Sequence, residues 1–353
     1  MTRRILWAST VLVPIDVLLA LLGVGDTWLF IVSAAALVPL AFAIGEATDH
    51  VGEHTGPAVA GLLNASFGNA PELLISLFAV EAGLFDVVKA SLAGSVISNL
   101  LLVLGTALIF GRRAKVSQRS VFANLGQVAL AAVIFGVATL LAGGLGDDDP
   151  AAGSVGSGSV EWYAILLAAI LLVLYLAVTT VNIRRAVRTH RAEGPDASDD
   201  AWSLRRGVLV LALATVATAV ISRLLTGTIE QFSAQTGLGE FFSAAIIIAI
   251  VGNAAEHGGA VVVAARGNVE LATEIGLSSS AQVATFVIPA VVLLSLGLNP
   301  MPMTFRPIEF IGYAAAVVVP AVLLGRGQAS RGRGVVLAVT YGIVGVLFFI
   351  ASR

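Results

Sequence analysis

Two short stretches of this chain place an amide and a carboxylate inside long apolar runs. Gly68 to Glu72 reads Gly-Asn-Ala-Pro-Glu, and Gly252 to Glu256 reads Gly-Asn-Ala-Ala-Glu. An ionisable group at membrane depth costs about 2.5–3.5 kcal/mol or more and is functional by default. Asn and Glu three positions apart lie on one face of a helix. Each stretch can therefore aim an amide oxygen and a carboxylate at one point, Asn69 with Glu72 and Asn253 with Glu256. Two carboxylates flanked by amides form a hard, anionic, oxygen-rich pocket. Calcium takes about 6–8 oxygen ligands, and these four side chains with carbonyls and water could supply them. Gly68 and Gly252 loosen the helix, and Pro71 lacks the amide proton that would hold the Phe67 carbonyl.

The two stretches are copies in constant register. Asn69 and Asn253 are 184 positions apart (253 − 69), and so are Glu72 and Glu256. Gly83 matches Gly267 and Ser95 matches Ser279 at the same offset, while Asp86 matches Glu270 and keeps the charge. A unit repeated in register points to internal duplication. Small-residue helix packing accounts for the glycines and serines but not for the paired glutamates. Ser95 and Ser279, on the apolar segments that follow, are candidates to complete the cation shell, with packing as the alternative. Gln282, one turn beyond Ser279, is a supporting candidate.

Paired acids also suggest how such a site would turn over. With calcium bound, both carboxylates are ionised and the site is near neutral. When calcium leaves, two close anions in a poorly solvated cavity repel, and protons can take their place. One pocket would then hold either calcium or protons. His257 could carry or relay a proton near neutral pH, or simply pack. Glu46, Asp49 and Glu53, with His50 and His54, form either a cation-attracting cytosolic vestibule or a solvated helix end.

The elements that must position these residues are membrane helices. The chain has 353 residues, 58% hydrophobic and 12% charged, with a net charge of −2. Soluble domains carry about 25% charged residues. The apolar residues come in long runs, so the expected fold is an all-α polytopic integral membrane protein. No basic patch suggests nucleic acid, and the absence of cysteine excludes disulfides and thiolate metal sites. Eleven spans are expected, over 5–23, 28–47, 56–81, 84–110, 120–142, 161–183, 206–226, 239–265, 269–297, 308–325 and 334–351. Arg3 and Arg4 precede the first, which is read as an uncleaved helix because Asp16 interrupts it and no small-residue cleavage site follows. With the N-terminus in the cytoplasm and the C-terminus outside, 16 of the 20 Lys and Arg residues face inward, as the positive-inside rule requires. The acidic Gly- and Ser-rich loop from Gly143 to Val160 then faces out.

The organisation that follows is a first helix (1–27), a five-helix repeat (28–183), a cytosolic linker (184–205) and a second five-helix repeat (206–353). Five is odd, so the second repeat is inverted relative to the first, an architecture common among secondary transporters. Inversion brings Asn69 and Asn253, each about 20 Å along its span, to one depth from opposite sides.

These residues resemble a known family. Gly61 to Glu72 (Gly-Leu-Leu-Asn-Ala-Ser-Phe-Gly-Asn-Ala-Pro-Glu) and Val251 to His257 (Val-Gly-Asn-Ala-Ala-Glu-His) are similar to the paired signatures of the calcium/proton exchangers, the CAX family. Gly94 to Asn99 and Leu277 to Gln282 fit the companion segments. The resemblance implies calcium movement driven by a proton gradient, in the cell membrane of a prokaryote. Calcium and protons would be the transported partners and the bilayer the surroundings, with no cofactor. It also implies that Glu72 and Glu256 are the essential carboxylates, surrounded by Asn69, Asn253, Ser95 and Ser279. Pro71 stands where the family usually has Thr and is more like the sodium/calcium branch, whereas the Glu256–His257 pair is typical of the proton branch. The long acidic segment that many relatives carry between the halves is missing. A sodium-coupled calcium exchanger is the alternative within transporters. A membrane-embedded enzyme would need a nucleophile or a His-Glu-x-x-His metal motif, which the chain lacks. A continuous cation channel suits paired broken helices less well than alternating access does.

Overall fold

The computed structural model describes residues 2–55, 57–143, 162–193 and 202–353. Residues 144–160 of the expected acidic loop and 194–201 of the expected linker lie outside these. In chain order the helices are α1 (Thr2–Ser9), α2 (Leu12–Leu21), α3 (Asp26–Thr55), α4 (Pro57–Phe67) and α5 (Ala70–Glu81). Then come α6 (Phe85–Phe110), α7 (Gln118–Leu141), α8 (Trp162–Glu193), α9 (Leu204–Thr236) and α10 (Glu240–Gly252). The last four are α11 (Ala254–Ala265), α12 (Val269–Ser295), α13 (Pro307–Leu324) and α14 (Arg331–Ala351). Most of the described residues are helical. Among the described residues the one departure from an all-α fold is a two-residue antiparallel ladder, β1 (Ala114–Lys115) against β2 (Gln328–Ala329).

Nine helices among the described residues are long and apolar enough to cross a membrane, ten when the bent pair α10–α11 counts as one span. The pair α4–α5 consists of shorter pieces, separated at Gly68 and Asn69. Hydrogen-bonding caps define several helix starts: Ser117 accepts from the Ser120 amide, Ser203 from Arg206 and Asn268 from Leu271. Such caps satisfy amides that have no partner within the helix. Gly237 ends α9 with φ +71°, a left-handed conformation that favours glycine.

Breaks and turns recur at the sequence offset. Asn69 has φ −102° and ψ 17°, and Asn253 has φ −91° and ψ 20°. Helix α5 spans 70–81 and α11 spans 254–265, each bound 184 apart. Gly83 and Gly267 both have positive φ, 77° and 99°. A π-helical turn interrupts α6 at Asn99–Val103, and another interrupts α12 at Val283–Val287. A fifth shared feature is the first-turn acid, Asp86 in α6 and Glu270 in α12, which faces the positive end of its helix dipole.

Helix α6 is the central post: 83% of its apolar window is buried, against 6% for Arg4–Leu21. Glycines let backbones approach it. A Cβ on Gly94 would lie 2.0 Å from the Ala245 carbonyl oxygen of α10, and one on Gly334 of α14 would lie 2.6 Å from the Gly105 carbonyl oxygen. This is close small-residue packing. The outer faces of α7, α8, α9, α13 and α14 present Val133, Val173, Val216, Val322 and Ile350, a belt suited to lipid. The bundle has two ends. One gathers the β1–β2 ladder, the Trp7–Glu46 bond and the His54–Trp202 bond. The other gathers Asn299 on the Glu81 carbonyl, Arg306 on Asp86 and the Thr27–Gln235 bond.

The close approach at Gly94 makes a prediction. Gly94→Val should cost about 1–3 kcal/mol through overpacking and lower the thermal unfolding midpoint in detergent. Gly126→Ala, whose Cβ meets nothing within 4 Å, should not lower that midpoint and should raise it slightly, because alanine is favoured over glycine inside a helix.

Candidate functional site

The two motifs break their spans at the same residue. Each Asn sits in a non-helical step, and each Glu lies in the first turn of the helix that follows. The amide and the carboxylate therefore flank a helix start, instead of sharing the face of one continuous helix. Pro71 is not the cause of the break. It occupies the first turn of α5, where a missing amide proton costs little. The same break forms at Asn253, where Ala255 stands in its place. What the copies share is Gly-Asn. A Cβ on Gly68 would lie 2.4 Å from the Asn64 carbonyl oxygen, so the tight end of α4 requires glycine.

An Asn in this position normally caps its helix, but neither of these does. Their amides reach across to other elements. Asn69 donates to the Gln282 side-chain oxygen of α12 at 3.0 Å. Asn253 donates to Ser95 of α6 at 2.9 Å and to the Ala249 carbonyl at 2.8 Å. Asn253 also accepts from Asn99 at 2.6 Å. Residues from both sequence copies are thus tied together by hydrogen bonds.

Glu72 is 5% exposed, and both of its oxygens are buried without a hydrogen bond from any other residue. Glu256 is half-buried, with Oε2 in the same condition. Buried carboxylate oxygens without donors are costly, and the Glu256 charge acts directly on Glu72. Beside Glu72 lies a cavity of about 10 Å³, lined by Ile75, Ser91, Leu92, Ser95, Ile248 and Gly252. That is room for about one water molecule. Gly252 faces the Glu72 carboxylate, and a Cβ there would stand 3.5 Å from it.

Of the expected site residues, Glu72, Glu256, Asn253 and Ser95 are brought together, and Asn69 with Gln282 adjoins them. Ser279 is half-buried on α12, while its neighbour Ser280 bonds the Val96 carbonyl of α6 at 3.3 Å. His257 Nδ1 bonds the Asn253 carbonyl at 2.7 Å. A carbonyl only accepts, so Nδ1 carries the proton, and the buried Nε2 has no partner. Glu46, Asp49 and Glu53 lie at the far end of α3, by the Trp7–Trp202 pair. Trp7 bonds Glu46 at 2.8 Å, and His50 reaches Glu53 at 3.3 Å while stacking on Trp202. Among the described residues no group of three His, Cys, Asp or Glu converges to hold a metal.

Two polar residues escaped the sequence reading. Asn99, at the π-turn of α6, bonds Asn253 and leaves its own buried Oδ1 unpartnered. Its place in the companion segment was the available signal. Glu274 of α12 accepts from Ser120 and from Asn124 of α7. With Ser278 it lines a groove of about 810 Å³. Glu274, Ser278 and Gln282 follow at steps of four along α12, so one helix face leads from this groove to the Asn69 amide.

Paired buried acids between broken membrane helices define a class, the secondary cation transporters. The chain matches the family model "Sodium/calcium exchanger protein" over residues 25–183 and 206–350. It is 33% identical over 344 residues to the Ca(2+)/H(+) antiporter ChaA of Bacillus subtilis (strain 168), covering 96% of each chain. It is 35% identical over 358 residues to vacuolar cation/proton exchanger 1a of Oryza sativa subsp. japonica, covering 97% of this chain and 79% of that one. The structure of native YfkE superposes with a TM-score of 0.82 at 31% identity, covering 99% of both chains. The chain therefore belongs to the sodium/calcium exchanger family and, within it, to the calcium/proton exchangers.

Gly252 gives a sharp test. Gly252→Ala adds a methyl at ordinary contact distance, so the protein should fold and melt within about 1 kcal/mol of the parent. The methyl takes up space beside Glu72, so calcium transport in vesicles should fall severalfold. Unchanged transport would remove this cavity from the site.

Proposed function

We propose that this chain exchanges calcium for protons by alternating access, with Glu72 and Glu256 binding either a calcium ion or protons. The observation that carries this reading is the pair itself: one carboxylate on each broken span, with buried oxygens that no other residue satisfies. Asn69, Asn253, Ser95 and Ser279 supply neutral oxygens around them. His257, with a bare Nε2, and Gln282, bonded to Asn69, are the supporting groups. Calcium needs about 6–8 oxygens, more than two carboxylates give, so carbonyls at the Asn breaks and water complete the count. Relatives named as Ca(2+)/H(+) antiporters favour protons over sodium as the counter-ion. The chain is a transporter and needs no cofactor.

The architecture behind this function is eleven spans, with α4–α5 and α10–α11 each counted as one broken span. A first helix (1–27) precedes two inverted five-helix repeats, 28–183 and 206–353, joined by the linker 184–205. The matched segments of the family model and the recurring breaks, glycines and π-turns support that division. The protein is an integral multi-pass membrane protein. Bacterial relatives and the inward bias of Lys and Arg favour a prokaryotic cell membrane, with the N-terminus cytoplasmic and the C-terminus outside. The cluster Glu46, Asp49 and Glu53 then lies at the cytosolic end, where it can raise the local cation concentration.

The test is transport by inside-out vesicles with an imposed pH gradient and no sodium. Parent protein should accumulate calcium, and Glu72→Gln and Glu256→Gln should each reduce uptake to background while still expressing and folding. Uptake that requires sodium would favour the sodium-coupled alternative. Normal uptake by either variant would refute the assignment of that carboxylate.

A further inference from the structure

At the end of α6 opposite the β1–β2 ladder, four charged side chains meet. Asp86 pairs with Lys89 at 3.3 Å and with Arg306 at 2.5 Å. Lys89 is 2% exposed and Glu309 is 1% exposed. Glu309 Oε2 accepts from the Arg306 amide at 2.6 Å, while its Oε1 is buried without a partner. The charges of Lys89, Arg306 and Asp86 all act on Glu309. Two cations and two anions are thus held together where α6 meets the start of α13. Burying Lys89 and Glu309 is expensive unless they are paired, and nothing in the exchange chemistry at Glu72 and Glu256 calls for it.

Arg306 also touches a third element. Its guanidinium lies over the Phe241 ring, 5.1 Å from the centroid. Phe241 is in the first turn of α10, the half of the broken motif span that ends in Gly252. Arg306 therefore connects the outer end of α10 to Asp86 on α6. Further along the same pair of helices, Gly94 and Ala245 press backbone to backbone, and Ser95 and Ile248 wall the cavity beside Glu72. The two helices that Arg306 joins therefore both wall this cavity, α6 through Ser95 and α10 through Ile248. A guanidinium suits such a joint because it can pair with a carboxylate and stack on a ring at once.

We propose that Arg306 is a positioning residue for exchange: it pins the outer half of the second motif span onto α6, and release of that pin opens the Glu72 cavity to the outer face. This rests on the reading of Glu72 and Glu256 as the exchange site, and its test is kept separate by reading accessibility instead of transport. Asp86 and Phe241 hold the guanidinium, and Glu309, bonded to the Arg306 amide, holds its backbone. The sidedness is that of the proposed topology, in which Arg306 is outside.

The chain has no cysteine, so a single Ile248→Cys change gives one thiol in the cavity wall. In sided proteoliposomes, a membrane-impermeant thiol reagent added outside should label this protein slowly. Adding Arg306→Ala should speed outer labelling about three- to tenfold, the range for losing one cation–π contact and one ion pair. Labelling from the inner face should not rise. Phe241→Leu should give a smaller increase of the same sign and add little to Arg306→Ala, because both changes break one contact. Arg306→Lys, which keeps the pair with Asp86 but stacks less well, should fall between. Outer labelling unaffected by Arg306→Ala and by Phe241→Leu would overturn the proposal. So would a parallel rise from both faces, which marks general loosening. A failed Glu72→Gln transport test would remove the exchange site and leave the labelling result standing.

Discussion

Two carboxylates held close together in the apolar centre of a membrane protein cannot both stay charged and unaccompanied. Burial removes the water that would screen them, and each anion raises the cost of the other. On the proposed reading, Glu72 and Glu256 are such a pair. A divalent cation relieves the repulsion and so do protons, whereas an empty charged site is the state to be avoided. Competition for one pocket, which antiport requires, follows from this rule without a second site or a signal passed over a distance.

The fold meets the demand with broken helices. Each motif Asn interrupts its span, and each Glu sits at the start of the next helix, near the positive end of the helix dipole. The Asn side chains, free of capping duty, reach across to Gln282, Ser95 and Asn99. These bonds fix the two breaks against α6 and α12, the helices whose π-turns lie at matching positions. A π-turn leaves backbone groups less regularly paired and is frequent at functional sites. The bundle around this centre can be plain, and it is: aliphatic residues toward lipid, and glycines where backbones meet.

Much of this was legible in the sequence because membrane burial makes polar residues conspicuous. Glu72, Glu256, their Asn partners and Ser95 stood out as expensive groups repeated at one offset, and the offset carried through to helix bounds, glycine turns and first-turn acids. What could not be read was anything decided by packing between elements. Pro71 looked like the helix breaker, yet Ala255 occupies the matching place and the break persists. Asn99 appeared as one more polar residue until the fold set it against Asn253. Lys89 and Arg306 counted only as two of the few outward charges, and Glu309 not at all. Their meeting depends on how the start of α13 returns to α6, some 220 positions away in sequence. Helix lengths were hidden for a related reason. Helix α3 runs to Thr55 and α9 to Thr236, because the two lie antiparallel and each far end meets the other's start, His54 at Trp202 and Gln235 at Thr27.

The central claim is competition between calcium and protons for the same carboxylates. Calorimetric titration of the purified protein with calcium, in buffers of differing ionisation enthalpy near neutral pH, measures proton release on binding directly. The account predicts that calcium binding releases protons, and that Glu72→Gln and Glu256→Gln each abolish tight binding together with that release. Calcium binding that is tight and releases no protons, or release that survives loss of both carboxylates, would contradict it.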